Sequence, residues 1–131
     1  MIVKTSLIVA AVFMFCLSIV QVNASGAMIV DEGEVRAEII LSDTASRSTR
    51  LAANELQTYI AKLSGAKLAI RSKPSDGASV KIYVGESPGL KELGVTADGL
   101  EYGAYRIVSG EGWLALIGDD ADFTPIEPWA K

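Results

Sequence analysis

The sequence predicts an α+β fold: one mixed or antiparallel sheet of five to six strands, with one main helix and one short helix packed on it. Three observations lead there. Ala52, Leu56, Tyr59, Ile60 and Leu63 recur at helical spacing, with Asn54, Glu55, Gln57, Thr58 and Lys62 opposite them. Strand-like stretches follow, with Leu68 and Ile70, then Val80, Ile82 and Val84, then Tyr105 and Ile107, and a continuous apolar run over 113–117. Glycines punctuate these stretches at Gly65, Gly85, Gly94 and Gly118. One amphipathic helix cannot bury its own apolar face, so a sheet beneath it is required.

The first 24 residues read as a leader rather than as fold. Lys4 precedes a run over 7–20 that is apolar except for Ser18, and Val22 and Ala24 supply the small residues before a cleavage point after Ala24. The run is shorter than the roughly 20 residues a spanning helix needs. Phe15 stands before Cys16 where a lipoprotein signal has a small residue, which argues against lipid attachment. The expected organisation is a signal peptide over 1–24, an accessory α+β domain over 25–120, and over 121–131 the start of a linker to a further domain. Losing Lys4 and Cys16 with the leader leaves 11 basic against 16 acidic residues and no cysteine. The expected destination is therefore the periplasm or the exterior, without disulfides. An acidic balance of this kind argues against nucleic acid, and against an anionic membrane surface once the leader is removed, because both require clustered Lys and Arg.

In chain order, residues 28–30 and 35–41 flank Asp31, Glu32, Gly33 and Glu34, which predicts a hairpin. Ser42 or Asp43 is placed to cap the main helix, with residues 44–49 as its first turns. Arg47 and Arg50 then lie at the positive end of the helix dipole, an unfavourable place that favours a later start. Gly65 is expected as a left-handed C-cap ahead of a strand carrying Leu68 and Ile70. A polar loop over 71–78 leads to the strand over 80–84, and Leu90 to Leu93 form one or two helical turns before Gly94. A second hairpin turns at Gly110, Glu111 and Gly112. Pro128, Trp129, Ala130 and Lys131 leave an aromatic with nothing further to pack on, which raises the expectation of an amino-terminal piece of a longer protein.

Candidate chemistry is sparse. Gly85, Glu86, Ser87, Pro88 and Gly89 match G-x-S-x-G between a strand and a helix. The residue after a nucleophilic serine must donate its N–H to an oxyanion, and Pro88 has none. The sequence contains no histidine, which removes the usual triad and zinc constellations. Asp119, Asp120 and Asp122 cluster after an apolar strand as a candidate ligand or cation contact, with solvated turn acids as the plain alternative. Trp113, Trp129, Tyr59, Tyr83, Tyr102 and Tyr105 offer faces for sugar rings or for packing. Phe123 and Trp129 are candidates for contact with a following domain. No cofactor site and no catalytic constellation is expected within this chain.

Several segments together resemble a known domain. They are residues 52–60, residues 63–68, the strand end Ile82, Tyr83, Val84 and Gly85, residues 103–107, and Leu116, Ile117 and Gly118. This succession resembles the amino-terminal α+β domain that precedes the catalytic barrel in secreted bacterial glycoside hydrolases. Alpha-glucuronidases and family 20 hexosaminidases of the chitobiase type carry such a domain, as do uncharacterised glycosidase-like proteins. The resemblance covers roughly residues 28–120. It implies a non-catalytic domain packed against a barrel encoded further along, with polysaccharide as the parent's substrate; no catalytic residue carries over, because the carboxylates belong to the barrel. A free-standing exported module that binds a glycan or an envelope partner is the alternative. A small hydrolase built on the aspartate cluster is a third.

Overall fold

The computed structural model describes residues 26–120, which form the predicted α+β fold of one mixed sheet with a main and a short helix. A small hairpin, β1 (Val30–Asp31) and β2 (Glu34–Val35), precedes the main sheet. Glu32 and Gly33 close it at positive φ. The chain continues as β3 (Ala37–Leu41), α1 (Arg47–Ser64), β4 (Ala69–Arg71), β5 (Val80–Val84), α2 (Pro88–Glu92), β6 (Tyr105–Gly110) and β7 (Trp113–Gly118). The main sheet has the order β4-β3-β5-β7-β6. β4, β3, β5 and β7 are mutually parallel, and only the edge strand β6 is antiparallel.

The first predicted hairpin is thus only partly present. Val35 pairs with Val30, but residues 37–41 leave that partner and enter the main sheet between β4 and β5. The reason is apolar content: Ala37, Ile39 and Ile40 are all buried, and a strand covered on both faces belongs in the middle of a parallel sheet. Ile29 and Val30 keep the small hairpin packed on the core.

Ser46, not Ser42 or Asp43, caps α1, its Oγ accepting the Thr49 N–H at 3.1 Å. Arg47 and Arg50 nevertheless remain in the first turn. Gly65 ends the helix at φ 73° and donates its N–H to the Ala61 carbonyl, the expected left-handed stop. The buried face of α1 differs from the predicted one. Thr49 and Ala53 are buried, Leu56 and Ile60 are half-buried against Ile39, Ile82 and Val84, and Gln57 donates to the Leu68 carbonyl. Ala52 and Tyr59 are exposed and Leu63 is 87% exposed. The apolar stripe is wider than the helix–sheet contact, and its outer half overhangs the β6–β7 side.

The opposite face of the sheet is closed by α2 and the loop after it. Leu90, Val95 and the half-buried Leu100 pack on Ile40, Tyr83, Ala115 and Ile117. Alternation along each strand divides the residues between the two layers, so that Ile82 and Leu116 face α1 while Tyr83 and Ile117 face α2. The second hairpin forms as expected, with Gly110 opposite Trp113 and Glu111 and Gly112 as its turn.

Glu38 is a charged residue inside this frame, with only 2% of its surface exposed. Ser75 donates to it from N–H and Oγ, both at 2.7 Å, and Arg71 and Lys81 pair with it at 3.1 and 3.4 Å. The polar loop after β4 is thereby pinned to the centre of the sheet.

Candidate functional site

The connections after β3 and β5 determine where a ligand fits. β3 leads into α1 on one face and β5 leads into α2 on the other, so neighbouring parallel strands send their chains to opposite sides of the sheet. Sheets of this kind open a crevice at the carboxyl ends of the strands at that point. Here it is a cleft of about 610 Å³ lined by Ser42, Ser46, Thr49, Glu86, Ser87, Lys91, Asp119 and Asp120, among others.

The lining is rich in hydroxyls, and several are already engaged. Ser46 Oγ lies 2.6 Å from Thr49 Oγ1 and 2.8 Å from Ser48 Oγ. Ser87 is buried and caps α2, accepting the Leu90 N–H at 3.3 Å. That cap is the role the G-x-S-x-G stretch serves: it makes a turn and starts a helix, and its serine points into a helix end. Glu86 accepts the Ala97 N–H at 3.1 Å, holding the loop after α2 against the cleft.

Of the residues singled out from sequence, Asp119 and Asp120 line this cleft. Asp122, Phe123 and Trp129 lie outside the described residues. Asp120 turns back over the end of the sheet, where its Oδ2 would stand 3.0 Å from a Cβ on Gly85 and the Thr49 methyl only 2.4 Å from the same atom. Gly85, at φ 72°, is therefore required by both backbone and space. Partial burial pushes the Asp120 carboxyl above its ordinary value, and the charges of Glu86 and Asp119 add to the rise. A Thr49 hydroxyl bond and a backbone bond at Gly118 oppose it without cancelling it. Among the described residues no group of three or more potential ligands is placed to hold a metal ion. The cleft is suited to hydrogen bonding with a hydroxyl-bearing ligand, since carboxylates accept and Lys91 donates.

The sequence reading did not assign Thr49, Glu86, Ser46 or Ser87 to a site. Ser46 and Ser87 each precede a helix by one position, and that capping signal alone marks where two loops meet.

A second concavity lies on the α1 face. It is an apolar groove of about 360 Å³ whose lining includes Ala52, Leu56, Tyr105, Ile107, Leu116 and Asp120. It exists because α1 covers β3 and β5 but not β6, leaving Tyr105 76% and Ile107 61% exposed. Beyond it, Tyr59 and Leu63 continue the apolar overhang along the helix.

Among the described residues no helix is long and apolar enough to cross a membrane. The chain matches no family model, no curated protein and no solved structure, so the fold and the two concavities are what characterise it.

Proposed function

We propose that this chain is a non-catalytic accessory domain of an exported carbohydrate-degrading protein, packed against a catalytic barrel of the same parent. The supporting observation is the apolar overhang of α1, with Leu51, Tyr59 and Leu63 exposed on a helix that already has its core contacts. Apolar side chains gathered on one side of a helix fit an interface better than they fit solvent. The resemblance of residues 28–120 to domains that precede such barrels agrees with that use, and the leader over 1–24 agrees with export. In the parent protein, encoded by this reading frame and whatever follows it, Tyr59→Asp and Leu63→Asp should lower the barrel's melting temperature and its glycosidase turnover. Unchanged values for both variants, or a reading frame with no barrel sequence, would count against the proposal.

The polar cleft supports a second reading, a glycan-binding module. Sugar hydroxyls are donors, and Glu86, Asp119 and Asp120 are acceptors gathered at one mouth. Calorimetric titration with neutral oligosaccharides should show binding that Asp120→Ala abolishes. Heats indistinguishable from dilution across a panel of glycans would remove this reading.

A further inference from the structure

A third concavity, of about 310 Å³, opens on the α2 face of the sheet. Ile40 and Tyr83, partners across β3 and β5, form its floor, and the loops over 42–44 and 72–74 and the start of α2 at Pro88 and Gly89 form its walls. Tyr83 is only 5% exposed, yet among the described residues nothing hydrogen-bonds its hydroxyl. That oxygen is not sealed from solvent, because every fully buried side-chain polar atom among the described residues has a partner. A Cβ on Gly89 would stand 3.7 Å from it, so the hydroxyl lies at the pocket wall where a glycine leaves it uncovered. A buried tyrosine usually pairs its hydroxyl within the fold. Burial, followed by the charges of Glu38 and Glu92, pushes this phenol above its ordinary value, so at neutral pH it keeps its proton and can donate it.

The remaining lining suits a neutral ring that carries hydroxyls. Ser42, Thr44 and Ser72 bring groups that both donate and accept, and Lys73 is matched by Asp43, so the pocket has no net formal charge. A charged ligand would find no uncompensated counter-charge there. Ile40, Pro74 and Pro88 give an apolar surface for the C–H face of a ring. A dry cavity of about 150 Å³ accepts benzene, and the 310 Å³ here accommodates one six-membered ring with its hydroxyls.

We propose that this pocket binds one neutral monosaccharide ring, seated between the 72–74 loop and α2, with a sugar oxygen accepting the Tyr83 proton. The inference goes beyond the accessory role and does not rest on the polar cleft. Tyr83 and Lys73 line this pocket and not the cleft, whereas Glu86 and Asp119 line the cleft and not this pocket.

Amide NMR spectra of the full-length chain, recorded during titration with D-glucose, D-galactose, D-mannose and N-acetyl-D-glucosamine, test it. At least one sugar should move the Ser72, Lys73 and Gly89 signals saturably, with a Kd of about 1 mM, the range for a ligand of about a dozen non-hydrogen atoms. Tyr83→Phe should weaken that binding about tenfold while melting no lower than the parent, because the fold makes no bond to the oxygen it removes. Gly89→Leu should abolish binding and still melt cooperatively, since its Cβ has room 3.5 Å from the Tyr83 ring and its branch occupies the pocket. Methyl glycosides that bind as well as the free sugars would assign the occupant to the end of a glycan; their exclusion would assign it to a free sugar. No saturable shift with any of the four sugars would overturn the proposal, as would parent affinity in Tyr83→Phe or a clear fall in its melting temperature. Shifts confined to Glu86 and Asp119 would overturn it too, and would move sugar binding to the polar cleft.

Discussion

Glu38 is held at the centre of the sheet by opposing effects whose balance can be read from titration. Burial raises its pKa, but the Ser75 N–H and hydroxyl and the Lys81 ammonium outweigh that and leave it below 4.5. A lowered carboxyl stabilises the fold above its unfolded pKa, and that contribution is lost as pH falls through the lowered folded value. Urea unfolding of Glu38→Ala should show a loss of about 3 kcal/mol at pH 7, because half-buried Lys81 loses its partner. The gap between variant and parent should narrow on acidification below the ordinary carboxylate range. Asp120 has the opposite sign. Its raised carboxyl is a cost once ionised, so Asp120→Asn should gain on the order of 0.5 kcal/mol at pH 7, a small value because solvent screens the group. The gain should vanish as pH falls and Asp120 protonates; a loss of stability at pH 7 would show that the Thr49 bond dominates. Neither environment was legible in the sequence. Glu38 stands as one acid in an apolar strand, and its partners Ser75 and Lys81 come from loops and strands that pairing alone brings together.

At the scale of elements, most segments were legible because each carries its own punctuation. Gly65 stops α1, Gly94 follows α2, and Gly110, Glu111 and Gly112 turn the last hairpin, all through local backbone preferences. What the sequence misplaced was orientation and partnership. The stripe of Ala52, Leu56, Tyr59, Ile60 and Leu63 is a true helical stripe, but a periodicity does not say how much of itself a sheet will cover. The sheet takes Thr49, Ala53, Leu56 and Ile60, and the remaining half overhangs. Two neighbouring alanines separate these registers. Ala53→Leu should cost about 1–3 kcal/mol by overpacking, whereas Ala52→Leu should stay within about 0.5 kcal/mol of the parent in thermal unfolding. The reverse ranking would restore the predicted face. The first hairpin was similarly misassigned beyond Val35, since turn chemistry specified its start and burial on both faces decided where residues 37–41 went.

For the whole molecule, the parallel order of β4, β3, β5 and β7 has the widest consequences. It places the carboxyl ends of β3, β5 and β7 together and sends α1 and α2 to opposite faces, which creates the polar cleft at Asp119 and Asp120. The aspartates were visible as a cluster, but the hydroxyls of Ser46, Thr49 and Ser87 join them only through a topology that sequence spacing does not reveal. The same order leaves α1 covering three strands of five, so an apolar overhang faces away from the core. The central claim is that this overhang is a seat for a neighbour. Hydroxyl-radical footprinting measures it most directly, on this chain alone and on the proposed parent protein that joins it to a catalytic barrel. Tyr59 and Leu63 should label strongly in the chain alone and become protected in the parent, while Leu68 and Leu90 stay protected in both. Equal labelling of Tyr59 and Leu63 in the two proteins would contradict it.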